Sequence, residues 1–437
     1  MTGLMMFPSL FLLIFLGFPV AFALLSVAFV FGVITFGDAV FFQFVQKTES
    51  VATNFVLAAV PLFVFMGAML ERSGIASQLF NAVHIWTRRL PGGMAVGTII
   101  MCIIFAASTG VIGATETVVG LLAIPAMLKV NYSKSLISGT ICAGGSLGTI
   151  IPPSVVVVVL GPIANVSIGD LMVGMIFPGL ILSGLYIVYI VVLCLVNKDA
   201  GPPIDSDEDD LDFQTKIAIT VKALVPPLIM IFAVLGSIML GWAAPTEAAA
   251  IGAFGAFVLT VLYGRFSWRT FWEALIKTIT VTSMIMFVVL AGSYFTGVFT
   301  GAGGMGLMRE LINNLQLGPW ALIAVFLVLV FIAGFFLEWV SILLIFVPIF
   351  MPFVLGAGFN PVWFCMLLLI MIQTSYLTPP MAPAIFYLRG VAPPEITLRD
   401  MYAGVVPFIA IQLVALAIVA AFPQTALWLP EQLLGFR

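Results

Sequence analysis

Apolar residues run without alternation for about 20 positions at a time along this chain, and polar punctuation separates one run from the next. A run of that length crosses about 30 Å of hydrocarbon as an α-helix, and its continuity argues against the alternating strands of a membrane β-barrel. The first run, Met1 to Phe36, has no basic residues ahead of it and no small-residue cleavage site, so it reads as a retained membrane segment. Two runs are interrupted in the same way, by Gly148-Thr149-Ile150-Ile151-Pro152-Pro153-Ser154 and by Ser375-Tyr376-Leu377-Thr378-Pro379-Pro380-Met381. A double proline removes two backbone donors and clashes with the preceding turn, so a broken helix is expected at each. Backbone freed at membrane depth is tolerated only where protein or a polar cavity satisfies it, and two such breaks at corresponding places in two halves point to a transport site.

The surrounding punctuation repeats. In the first half Pro125 closes an apolar run, a turn follows at Asn131–Lys134, then the break, then Asp170, Gly174 and Pro178. In the second, Pro348 is followed by a turn with Gly356, Gly358, Asn360 and Pro361, then the break, then Asp400, Gly404 and Pro407. Upstream, Gly17-Phe18-Pro19-Val20-Ala21 corresponds loosely to Ala244-Pro245-Thr246-Glu247-Ala248. This is the signature of an internal duplication. A water-facing stretch from Asn197 to Lys216, with Asp199, Asp205, Asp207, Glu208, Asp209, Asp210 and Asp212, separates the halves. The expected organisation is a first repeat over 1–196, an acidic cytoplasmic linker over 197–216 and a second repeat over 217–437.

Charge placement makes the repeats inverted. Arg88 and Arg89 precede, and Lys129 and Lys134 follow, an apolar run of about 97–127, so both its ends face the cytoplasm and the run is a re-entrant hairpin with its tip over Ser108–Glu116. The matching run, about 320–353, lacks flanking charge and opens the other way, with its tip over Gly334–Glu338. Arg265, Arg269, Arg389 and Arg399 fit the cytoplasmic side. The broken helices then cover about 134–168 and 361–389, and Gln43–Asn54 and Ser267–Lys277 read as interfacial helices. The fold class is an all-α polytopic membrane protein of two inverted repeats, each with one hairpin and one broken helix.

Composition supports this and narrows the chemistry. Of 437 residues 62% are hydrophobic and 8% charged, with mean hydropathy +1.25, which no soluble domain matches. A net charge of −3 with no basic patch excludes nucleic acid as a partner. Cys102, Cys142, Cys194 and Cys365 sit singly in apolar runs, as small buried hydrophobes do, and His84 is the sole histidine, an interfacial side chain.

The broken ends and tips supply main-chain and hydroxyl oxygens, which suit the hard cation Na⁺. One tip meeting one break makes a cage, so two repeats make about two Na⁺ sites. The first combines Ser108, Thr109, Gly110 and Gly113 with Gly148, Ile151 and Pro152; the second combines Gly334 with Ser375, Thr378 and Met381. Glu116 and Glu338 occupy corresponding hairpin positions, for ion coupling or for bonding hairpin backbone, and Glu247 fits a helix start.

Taken together, Gly145-Ser146-Leu147-Gly148-Thr149-Ile150-Ile151-Pro152-Pro153-Ser154, Gly334–Glu338, Thr378-Pro379-Pro380-Met381 and the opening Gly17–Leu24 resemble the large membrane subunit of a TRAP (tripartite ATP-independent periplasmic) transporter. The resemblance implies a bacterial inner-membrane protein, not an enzyme, with an elevator mechanism in which hairpins and broken helices slide within a scaffold. It further implies Na⁺-driven uptake of a small organic acid, a periplasmic substrate-binding protein that delivers it, and a small four-helix membrane subunit as a separate chain. Cargo would sit near Thr109, Thr149, Ser154, Gln373 and Thr378. Two departures stand out: the first tip reads Ser108-Thr109-Gly110 rather than Ser-Gly-Ser, and Ser375 and Ala382 stand where the family often has glycine. The alternatives are a two-hairpin divalent-anion symporter that needs no binding protein and, more remotely, an intramembrane enzyme or a channel.

Overall fold

The computed structural model describes residues 2–109, 113–203 and 212–435. Within them every regular element is a helix and there is no strand. Seven helices are long and apolar enough to cross a membrane, among them Ile168–Val196, Phe213–Met239, Trp268–Gly301 and Leu398–Ala421. The acidic residues Asp205, Asp207, Glu208, Asp209 and Asp210 lie outside the described residues, and Phe213–Met239 starts inside the stretch read from sequence as linker.

Local chemistry sets the helix ends around each break. Ser133 caps Lys134–Ser146 by accepting from the Leu136 N–H at 3.3 Å. One 3₁₀ turn, Leu147–Thr149, follows; the two prolines then hold the chain open until Val155–Ala164. In the second half Asn360 caps Pro361–Leu377, accepting from Val362 N at 2.8 Å, and the chain opens at Thr378 and resumes as Pro383–Arg389. Both Pro–Pro peptide bonds are cis. Pro361–Leu377 is apolar on all sides and buried at every position from Val362 to Leu377, so it forms the centre of the bundle. Trp363 anchors it, its indole donating to the Val419 carbonyl at 2.9 Å.

Helices Gly93–Thr109 and Ala114–Lys129 begin and finish at one end of the molecule. The Gly92 N–H donates to the Gly201 carbonyl and the Ser133 N–H to the Ala200 carbonyl, each at 3.0 Å, and the Met94 N–H reaches the Tyr132 hydroxyl at 3.2 Å. Pro319–Ala333 and Trp339–Gly356 behave alike: the Trp320 ring meets Phe359 edge-on at 5.2 Å. Backbones touch where small residues allow it. A Cβ on Gly139 would lie 2.2 Å from the Gly404 carbonyl oxygen, and one on Gly404 would lie 2.2 Å from that of Ser135.

Three expectations change. Pro125 and Pro348, read as closing apolar runs, each sit inside a helix that continues with apolar residues, because a single proline forfeits one backbone bond that neighbouring helices tolerate. Ser267–Lys277 is not a separate surface helix but the start of the 34-residue Trp268–Gly301. No glycine or proline interrupts that helix before Gly292, and its polar residues pair, as Arg269 does with Glu273 at 2.9 Å. Ala39–Ala52, by contrast, is a helix of its own. His84 packs its ring on Phe80 at 4.0 Å rather than reaching for solvent.

Candidate functional site

A cavity of about 490 Å³ lies where the two halves meet. Its wall takes Gly113 and Thr117 from the first hairpin, Val155 and Val156 from the helix after the first break, and Gly334 and Glu338 from the second tip. Ser375, Met381 and Tyr387 come from either side of the second break. Aliphatic and aromatic side chains fill most of the remainder, including Met284, Ile285, Trp339, Ile342 and Tyr376. A few convergent polar groups in an apolar cleft of this size are what small-molecule sites use.

The second break forms a contiguous constellation. Gly334 touches Ser375: a Cβ at 334 would lie 2.3 Å from the Ser375 Cβ and Oγ, so the tip needs a glycine here to admit the larger residue of the break. Ser375 Oγ donates to the Ile372 carbonyl at 2.9 Å and Thr378 Oγ1 to the Thr374 carbonyl at 2.7 Å, which leaves their oxygen lone pairs available. Pro379, Pro380 and Met381 are exposed, Met381 by 39%. Glu338 makes no capping bond to the helix it precedes and faces the cavity.

The first break is arranged differently. Gly148, Thr149, Ile151, Pro152 and Ser154 are all buried. Ser154 Oγ reaches back over the prolines to the carbonyls of Gly148, at 3.1 Å, and Thr149, at 3.4 Å. Thr149 Oγ1 donates to the Ser146 carbonyl at 2.9 Å. At the tip, Ser108 Oγ donates to the Ile104 carbonyl at 2.7 Å, while the buried Thr109 Oγ1 has no hydrogen-bond partner among the described residues. Gly110 lies outside the described residues. Gly113 donates its N–H to Glu116 Oε2 at 2.7 Å, and the fully buried Glu116 packs on Gly145, where a Cβ would sit 2.4 Å from its Cδ. Glu116 thus ties the first tip to the helix leading into the break. Glu247 plays the same part at its own helix start, accepting from Ala244 N at 2.8 Å.

Of the cargo residues read from sequence, Thr109, Thr149, Ser154, Gln373 and Thr378 are absent from the cavity wall among the described residues. Most of their polar atoms are turned to the protein: Gln373 Nε2, for example, donates to Ser146 Oγ at 3.1 Å and so joins the central helix to the first-half helix. Sequence reading missed Ser341, whose buried hydroxyl just past the second tip has no partner among the described residues, and the pair Lys277 and Glu71, which lines the same cavity as the second break. Among the described residues no three His, Cys, Asp or Glu side chains converge. Thr109 Oγ1, Glu116 Oε1, Gln373 Oε1 and Ser341 Oγ are buried oxygens with no hydrogen-bond partner among the described residues.

A multi-pass helical bundle with breaks and hairpin tips around an internal cavity defines a membrane carrier. The comparisons make this specific. The model for the "Tripartite ATP-independent periplasmic transporter, DctM component" matches residues 7–425, and the chain belongs to that family. It is 30% identical over 390 residues to the C4-dicarboxylate TRAP transporter large permease protein DctM of Pseudomonas aeruginosa, covering 89% of each. It is 28% identical over 425 residues to the sialic acid TRAP transporter large permease protein SiaM of Vibrio cholerae, covering 97% of each. The Alcanivorax borkumensis YdaH transporter shares the fold, with a TM-score of 0.66 at 14% identity over 97% of this chain and 98% of that one. The protein is therefore a large permease component of the bacterial inner membrane and not an enzyme.

Proposed function

We propose that this permease couples Na⁺ entry to import of a small organic acid, handed over by a periplasmic binding protein and carried with a separate small membrane subunit. What supports the reading is one observation: the second tip and second break meet in the cavity wall, Gly334 against Ser375 beside Met381 and Glu338. Na⁺ is held there by Ser375, Thr378, Ser341 and main-chain oxygens. A first Na⁺ is held at the other tip by Thr109 and the Gly148 and Thr149 carbonyls. In this reading the halves are inverted repeats and the tips and breaks move together as an elevator. Substrate names among the relatives, C4-dicarboxylates and sialic acid, support an acidic cargo.

Reconstitution tests it. Proteoliposomes carrying this chain with its small subunit and binding protein should accumulate a labelled organic acid under an inward Na⁺ gradient and stop when Na⁺ is replaced by choline. Uptake indifferent to Na⁺ defeats the coupling, and uptake indifferent to the binding protein favours the two-hairpin symporter.

A further inference from the structure

Lys277 is the one cationic side chain among the described residues of the cavity wall. It lies nine residues into Trp268–Gly301, about 14 Å along the axis at 1.5 Å per residue. A lysine near a helix end normally extends its ammonium outward to water. Lys277 instead turns to Glu71 Oε2 on Ala59–Arg72, its side chain 31% exposed and that of Glu71 19%. A second pair, Arg72 with Glu273 at 3.6 Å, joins the same two helices but does not line the cavity. The clasp between the helices has a member of its own there, and the cavity-facing pair is the one that a solute can reach. The same cavity is lined by Gly334, Ser375 and Met381, and by Val155, Met284 and Trp339, which suit a carbon skeleton.

We propose that Lys277 binds the carboxylate of the cargo, and that Glu71 occupies its ammonium when the cavity is empty. This rests on the import reading above. An ammonium carries three donors, so an arriving carboxylate first shares and then replaces the Glu71 contact. Lys277 accordingly fixes the acid end of the cargo in the cavity that the second break also lines, and Glu71 acts as an internal competitor that weakens binding.

The test is Na⁺-driven uptake of labelled succinate, pyruvate and N-acetylneuraminate by the reconstituted complex, with variants assayed on whichever probe the wild type carries. K277Q should raise KM about tenfold or more with Vmax little changed, since one charged hydrogen bond is lost. E71Q should lower KM, because the competitor is gone. The neutral pair E71Q/K277Q leaves no buried charge unmatched and should fold, yet keep the raised KM. The exchanged pair E71K/K277E rebuilds the clasp and should also keep it, whereas K277R should fall between wild type and K277Q. Recovery of KM in the exchanged pair, or equal damage from E71Q and K277Q, makes the pair a structural clasp and overturns the proposal. Wild-type uptake that K277Q leaves unmoved overturns the lysine alone; a wild type that carries none of the probes counts against the import reading itself.

Discussion

The two double-proline breaks share a motif and differ at the residue just past it. Pro152-Pro153 leads into Ser154, whose hydroxyl bonds back to the Gly148 and Thr149 carbonyls, and the whole segment is buried. Pro379-Pro380 leads into Met381, which has no hydroxyl, and the segment opens on the cavity. The carboxylates divide the same way: Glu116 is bonded to its own tip, while Glu338 faces the cavity. The first break thus carries a side-chain bond across its prolines, while the second is crossed by a main-chain bond alone, from Ala382 N–H to the Thr378 carbonyl at 3.2 Å.

That contrast can be broken most forcefully at the glycine contacts. Gly334→Ala drives a methyl group into Ser375 and should cut Na⁺-dependent uptake by about a hundredfold, since a misplaced tip loses its geometry. Ser375→Gly in the same chain should restore much of it; no recovery would place the defect elsewhere. Gly145→Ala, on the helix leading into the first break, collides with Glu116 and should act on stability, lowering it by about 2 kcal/mol in thermal melts of the detergent-solubilised protein. Ser154→Ala removes the brace's own bond at a cost of about 1 kcal/mol. Thr378→Val should raise the Na⁺ half-saturation about threefold, with the melting temperature hardly moved. Unchanged Na⁺ dependence there would argue against the second site. Met381→Ser, which lends the second break the hydroxyl of the first, should have the smallest effect, a gain of under about 1 kcal/mol in melts.

How far the sequence carries depends on how local the cause is. Proline chemistry acts within a turn, and so both breaks and the capped starts at Ser133 and Asn360 are legible from residue order alone. A lone proline acts as locally but more weakly, which is why Pro125 and Pro348 mislead: the fold continues the helix through them. The polar start of Trp268–Gly301 looks like a surface helix until its partners are known, and Glu71 lies 206 positions away from Lys277. The difference between the two breaks is visible in sequence as Ser154 against Met381, but its meaning needs the reach of a hydroxyl across two prolines. Ser341 gives no sequence signal, since nothing nearby marks its hydroxyl as unpartnered.

The tally of charges around the cavity has a bearing on leakage. Two carboxylates, Glu71 and Glu338, face a single ammonium, Lys277. Lys277 is paired with Glu71, so Glu338 leaves one negative charge in the lining, and in the Na⁺-coupled reading proposed above a cation arriving first offsets it. In that cycle the charge of the empty cavity favours cation before acid, and so works against an unloaded carrier letting accumulated solute slip back out unaccompanied.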